Sequence, residues 1–159
     1  MRAFLLIACL LTSLAVFAAP HEYGDIQLNR TDITEVYDGD TLFLSKPEWP
    51  AVLGQHIGVR LYGIDTPERH SRCELGIAKN HEEILAMRAR KLLLERLDAA
   101  HTIELRNLER DKYFRLLAHL YIDGEDIADA LIKSGLAVPY HGEKKVGWCE
   151  DTRSLANGD

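Results

Sequence analysis

Positive charge is in short supply in this chain: 19 lysines and arginines face 25 aspartates and glutamates, a formal net charge of −6. That balance argues against a protein that holds nucleic acid by bulk charge, because such binders carry basic faces. It leaves room for an acidic cleft neutralised by a bound cation. There is no His-x-x-x-His pair, no ordered Ser/His/Asp set and no glycine-rich loop to cradle phosphate, which removes the common zinc-protease, serine-hydrolase and nucleotide-binding signatures. Repeats, low-complexity tracts and interdomain linkers are also missing. No apolar run reaches the ~20 residues that a membrane-spanning helix needs.

The longest such run, Ala3 to Phe17, is broken only by Thr12 and Ser13 and follows a short basic start, Met1-Arg2. With the small-residue pattern Val16-Phe17-Ala18 behind it, residues 1–18 read as a signal peptide cleaved after Ala18. A lipoprotein box at Leu6–Cys9 sits too early to leave a proper apolar region. The expectation is an exported protein, periplasmic or secreted, with no membrane attachment after the leader is removed. Losing Arg2, the leader's one charge, takes the formal net charge to −7. Roughly 140 residues then remain, enough for one domain with one core, and nothing in them signals an oligomer, so a monomer is expected.

Of three cysteines, Cys9 leaves with the leader and Cys73 and Cys149 remain. In an oxidising compartment an even pair reads first as a disulfide. It would close a loop of about 75 residues, worth on the order of 4 kcal/mol if unstrained. A zinc site is the rival, since His70 and Cys73 have ligand spacing and His141 lies near Cys149; a single His-x-x-Cys is a loose pattern.

Along the chain, residues 19–31 read as an irregular arm, 32–140 as the folded domain and 141–159 as a polar tail. Ile33–Val36 and Thr41–Leu44 are β-prone runs on either side of Asp38-Gly39-Asp40, a hairpin signal. Lys46–Gly54 suits a loop, and His56–Ile64 a strand ending before Asp65-Thr66-Pro67-Glu68. From Leu75 to Leu97 the pattern is helical, with Ile77, Ile84, Leu85, Leu92 and Leu93 near one face. Strand character returns at 102–105 and 115–122. Asp123-Gly124 makes a turn, Asp126–Ser134 a short helix, and Gly135 stops it. Short strands flanking helices predict an α+β domain built on a small closed or partly open barrel.

Three stretches carry chemistry. Asp40 and Asp65 stand at opposite ends of strand-like segments that antiparallel pairing would bring together, and a hard cation such as Ca²⁺ takes carboxylate, carbonyl and water oxygens. Against that, Asp38 and Asp40 also suit a plain turn. Glu68, three residues on, is either a carboxylate that orients or deprotonates water or an acid at a helix start. Arg60 and Arg115 each lie between apolar neighbours, so strand alternation sends both to the opposite, polar face. There a guanidinium offers paired donors to phosphate. Lys112, Tyr113 and Tyr140 supply a cation and aromatic surfaces on which a base would stack.

These strings, Asp38–Thr41 (DGDT), Arg60–Glu68 (RLYGIDTPE), Asp111–Gly124 (DKYFRLLAHLYIDG) and Ala130–Ala137 (ALIKSGLA), resemble the thermonuclease, or staphylococcal nuclease-like, family. The resemblance runs from about residue 32 to 140. It implies a five-stranded OB-fold barrel with packed helices, and Ca²⁺-dependent endonuclease hydrolysis of DNA and RNA that leaves 3′-phosphates. It also implies that Asp40, Asp65 and the Thr66 carbonyl bind Ca²⁺, that Glu68 is the general base, and that Arg60 and Arg115 stabilise the phosphorane. Lys112 and Tyr113 would contact substrate. Phe114 departs from the pattern, standing where the family often has glycine, and the loop over 46–55 is longer than in the best-known members. A catalytically silent OB-fold module that binds single strands or a protein partner is the alternative; both arginines and all three acids argue against it.

Overall fold

A computed structural model describes residues 24–73, 77–145 and 147–149; the expected leader and the end of the tail lie outside them. Among the described residues nine strands and three α-helices follow one another, with a 3-10 turn at Arg30–Asp32. They are β1 (Ile26–Leu28), β2 (Ile33–Val36), β3 (Thr41–Leu44), α1 (Ala51–Gly54), β4 (Ile57–Leu61), β5 (Ile64–Asp65), α2 (Ile77–Ala99), β6 (Ile103–Arg110), β7 (Leu116–Ile122), β8 (Glu125–Asp126), α3 (Ile127–Lys133) and β9 (Val138–Pro139). The main sheet runs β1-β6-β7-β4-β3-β2, with β8 paired to β7, while β5 and β9 form a separate ribbon. Its one parallel pairing is β4 with β7, Val59 opposite Leu116. This curled, mixed sheet is the half-barrel of an SNase-like OB-fold in an α+β domain.

Alternation decides which face is buried. Ile57, Val59 and Leu61 of β4 point inward, as do Leu116, Ala118, Leu120 and Ile122 of β7. Gly58 and Arg60 therefore share the outer face with Leu117 and His119. Asp123 and Gly124 both take positive φ, +51° and +84°, the type I′ geometry that joins β7 to β8. Asp126 caps α3 by accepting from the Ala128 N–H at 2.9 Å. After α3 the N–H groups of Gly135 and Leu136 bond the carbonyls of Ile132 and Leu131, both at 2.9 Å, with Gly135 at φ +67°. That Schellman closure is why a glycine ends the helix.

Three expectations change. The arm is not irregular throughout, because β1 pairs with β6, Ile26 opposite Leu105, and buries Leu28. The loop over 46–54 holds one helical turn, α1. The buried stripe of α2 is Glu82, Ala86, Ala89, Leu93 and Leu97, whereas Ile84 is 43% exposed. Of the apolar residues expected on one face, Leu93 is buried and Leu85 and Leu92 pack partly buried against the core, while Ala86 and Ala89 take the place expected of Ile84. No helix among the described residues is long and apolar enough to cross a membrane.

The start of the domain is anchored by a buried ion pair. Lys46 Nζ donates to Asp32 at 3.0 Å, both side chains about 10% exposed, and Asp32 also accepts from the Asn29 N–H at 2.8 Å. Burial pushes the Asp32 pKa up, but the Asn29 and Lys46 bonds outweigh it and hold it below the ordinary 3.8. Lys46→Ala should destabilise the protein by about 2–3 kcal/mol by leaving Asp32 buried and unpaired. Because the folded pKa is lowered, this contribution is present above the ordinary carboxylate value and lost as pH falls through the folded one. Urea melts should therefore separate wild type and variant at pH 7 and bring them together below about pH 4. A gap that persists at low pH would contradict the assignment.

Candidate active site

Asp40 lies in the bend just before β3, and its position depends on Gly39. A Cβ built on Gly39 would lie 2.7 Å from Ala89 Cβ and 2.8 Å from Thr66 Cγ2. Gly39 is needed for close approach, and it does not adopt a positive φ. The turn is accordingly no two-residue hairpin: the Tyr37 and Asp38 N–H groups both donate to the Thr41 carbonyl, at 2.9 and 3.3 Å. Asp38, buried, accepts from the Asp40 N–H at 3.0 Å.

The carboxylate of Asp40 is 1% exposed and fully engaged. Its Oδ2 accepts from the Thr66 N–H at 2.8 Å and the Thr66 hydroxyl at 2.9 Å, while Oδ1 accepts from the Thr41 hydroxyl and from Arg60 Nη1. The other half of the Arg60 fork, Nη2, donates to Asp65 Oδ1 and to the Ile64 carbonyl, both at 3.1 Å. One guanidinium thus bridges the two buried aspartates. Antiparallel pairing makes this possible: Thr41 lies opposite Arg60, the Leu61 N–H bonds the Asp40 carbonyl, and the Tyr62-Gly63 turn swings Asp65 back beside it.

Glu68 follows in an irregular segment, and α2 begins only at Ile77, so Glu68 is not at a helix start. Its N–H donates to Glu82 Oε1 at 3.2 Å, and its carboxylate, about a third exposed, faces the acid pair. A residue absent from the motif reading meets it there. Lys145 Nζ donates to Asp65 Oδ1 at 2.7 Å and to Glu68 Oε1 at 3.1 Å, with the Tyr140 ring 6.0 Å away. Burial lowers the Lys145 pKa, but the bonds to Asp65 and Glu68 outweigh it and raise the value above the ordinary 10.5. Burial also pushes the Asp38 carboxyl up to about 6; Arg60 opposes this and Glu68 adds to it.

What holds Lys145 in place lies four residues on. Cys149 is joined to Cys73 by a disulfide with Cα atoms 5.4 Å apart. Cys73 is packed by the buried Glu82, whose Oε2 lies 3.1 Å from its sulfur and also accepts from the Ser71 hydroxyl. Among the described residues, Cys73, Glu82 and Cys149 are the one trio of His, Cys, Asp or Glu donors within 4.8 Å of one another, and both sulfurs are spent in the bridge.

Asp40, Asp65 and Glu68 do not close into such a trio, because Arg60 and Lys145 stand between them. The group still fits a hard dication. Every donor is oxygen, the aspartates are buried, and Thr66 is locked beside Asp40 by its N–H and hydroxyl. Asp38, Asp40, Asp65 and Glu68 against Arg60 and Lys145 leave two formal negative charges uncompensated, the charge that such an ion brings.

Arg115 arrives from the loop that leads into the neighbouring strand, β7. Its stem crosses Gly58, where a Cβ would meet Arg115 Cγ at 3.0 Å, so it lies on the same outer face as Arg60. Asp111 organises this loop. Its Oδ1 accepts from the N–H groups of Tyr113 and Arg115 at 2.8 and 2.9 Å, and its Oδ2 from Arg115 Nε at 2.7 Å. Burial pushes the Asp111 pKa up, but the Arg115 bonds bring it below 3.8. Tyr113 is 69% exposed, with Lys112 Nζ 5.1 Å and the Arg115 guanidinium 5.6 Å from its ring centre. Lys112 and Tyr113 thus group with Arg115, and Tyr140 with Lys145. Phe114 takes φ +67°, which explains why glycine suits this position; its ring lies 4.2 Å from the Arg110 guanidinium.

With this geometry in place, comparison with known proteins gives the family. The chain belongs to the staphylococcal nuclease homologue family, whose profile matches residues 58–155, beginning within β4 after the Asp38–Asp40 turn. It is also 28% identical over 124 residues to the endonuclease YncB of Bacillus subtilis (strain 168), covering 74% of this chain and 51% of that protein. The chain spans about half the length of this curated relative.

Two substitutions test the local geometry. Gly39→Ala should destabilise the fold by about 1–3 kcal/mol, since neither Ala89 nor Thr66 has room to yield; an unchanged thermal midpoint would show that the contact is slack. At position 114, glycine should be more stable than alanine by about 1 kcal/mol, because only glycine adopts positive φ without penalty. Equal melting of the two variants would reject strain at that residue.

Proposed function

We propose that this protein is an exported, Ca²⁺-dependent nuclease that hydrolyses phosphodiester bonds of DNA and RNA with little sequence or sugar specificity, leaving 3′-phosphates. The observation that carries the reading is the pair of buried aspartates, Asp40 and Asp65, bridged by Arg60 with Glu68 beside them. Family membership and a relative named an endonuclease support the reaction class. Export rests on the leader-like residues 1–18, and a monomer acting on nucleic acid is the simplest assembly.

Asp40, Asp65 and the Thr66 carbonyl would hold the ion, which when bound supplies positive charge to polarise the scissile phosphate. Glu68, about a third exposed at the mouth of the cleft, accepts a proton from the attacking water. Arg60 of β4 and Arg115, whose stem crosses Gly58 from the loop just before β7, donate to phosphate oxygens as negative charge builds on them. Lys112 and Tyr113 lie on the loop that delivers Arg115, and Tyr140 flanks the acid pair, so a strand crossing the outer face would meet a stacking surface on either side. The contacts address phosphate and sugar-neutral ring faces, which accounts for weak base specificity.

The test is hydrolysis of single-stranded DNA by the purified mature protein with Ca²⁺ and with a Ca²⁺-selective chelator. Cleavage should require the ion and fall about 10²–10⁴-fold in Glu68→Ala. Arg115→Ala should lower turnover by about 10²–10³-fold with a much smaller effect on KM. Folded protein that cuts neither DNA nor RNA with any divalent metal would instead indicate a binding module.

A further inference from the structure

The lysine at the acid pair belongs to none of the motifs, and it comes from a different part of the chain. Lys145 lies beyond the last strand, in the polar tail, yet its ammonium bridges Asp65 and Glu68. The tail is not free to leave. Tyr140 donates its N–H to the Gly63 carbonyl at 2.9 Å on one side of Lys145, and the disulfide to Cys73 pins Cys149 on the other. Cys73 is five residues past Glu68, so the bridge joins the segment carrying Glu68 to the segment carrying Lys145. Trp148, next to the bridge, is itself buried, 4% exposed. Lys145 is therefore delivered to the site by covalent and packing restraints, and its side chain is 44% exposed at the mouth of the cleft.

Resting on the nuclease reading above, we infer that Lys145 is a further active-site residue, a disulfide-tethered positioning cation that holds Glu68 in place and shares Asp65 with the metal. Two opposite consequences follow from one contact. At Asp65, an ammonium bonded to a metal-ligating oxygen repels a dication and must yield that oxygen, so Lys145 weakens metal binding. At Glu68, the same ammonium fixes a carboxylate whose residue is otherwise held, among the described residues, through its backbone N–H to Glu82. Fixing it keeps the base oriented towards water.

The opposite signs make the inference testable with Lys145→Met, which keeps most of the aliphatic stem. Ca²⁺ affinity is read by isothermal titration calorimetry on the full-length mature protein with its disulfide intact, and turnover at saturating Ca²⁺ on single-stranded DNA. The variant should bind Ca²⁺ on the order of tenfold more tightly while kcat falls about 10–100-fold and the melting midpoint holds. Lys145→Arg should restore most of the turnover. Weaker binding together with lost turnover and a lower midpoint would mark Lys145 as merely structural and overturn the inference. Unchanged affinity and kcat would overturn it as well, and so would tighter binding with undiminished kcat, which describes a plain competitor. If wild-type protein binds no Ca²⁺ at all, the metal reading fails first and this inference falls with it. Reduction of the disulfide in protein that stays folded gives a second check. It should shift Ca²⁺ affinity in wild type and leave Lys145→Met unmoved; an equal shift in both would show that the bridge does not act through Lys145.

Discussion

A carboxylate with almost no exposed surface is the constraint around which this domain is arranged. Asp40 cannot remain ionised in the interior without donors, and it receives them from three directions: Thr41 beside it, Arg60 on the neighbouring strand and Thr66 beyond the next turn. Each bond ties a different part of the sheet to the same point. Removing any one donor would leave the buried charge less fully compensated, which is why the region behaves as a unit and not as a set of independent contacts. The arrangement also brings Asp65 and Arg60 into register, so the burial that stabilises the fold and the chemistry of the site have a common origin.

Around that point the packing is tight on one side and tethered on the other. The long helix approaches through Ala86 and Ala89, small enough for the Gly39 turn to seat against it. Bulkier residues there would lift the helix and let the Asp38–Asp40 turn relax away from Thr66. On the opposite flank, Glu82 of the same helix gathers the Glu68 N–H, Ser71 and Cys73, giving an otherwise irregular segment a fixed course. One helix thus supports both the Asp38–Asp40 turn and the segment carrying Glu68, and the disulfide extends that support to the tail.

The loop bearing Arg115 is organised on another principle. Asp111 satisfies two backbone N–H groups and the Arg115 side chain at once, holding the arginine over Gly58 where no side chain obstructs its stem. Phe114 accepts a left-handed backbone in this turn and stacks against Arg110. Glycine here would relieve the backbone but would lose that contact, so the two terms oppose each other at this position.

Much of this was legible in the residues themselves. The two strands around the Asp38–Asp40 turn, the long helix, the Asp123-Gly124 hairpin and the glycine stop after the short helix all follow from local periodicity and turn chemistry, which act over a few residues. Other features were not. Ile26–Leu28 becomes a strand only because β6 offers an edge to pair with, and the face of α2 that is buried is chosen by how closely the Gly39 turn must approach, so alanines win over Ile84. Lys145 left one faint sign in the sequence, a basic pair just ahead of Cys149 in an acid-rich chain, but nothing local says where a tail lysine will rest. The sequence by itself determined the elements, the acids and the arginines, because those depend on neighbours along the chain. Only the tertiary structure decided which charges meet. Residues 65, 68 and 145 are brought within hydrogen-bonding distance by a disulfide and a sheet that close loops of many residues, and contacts of that separation have no signature in any short stretch of sequence.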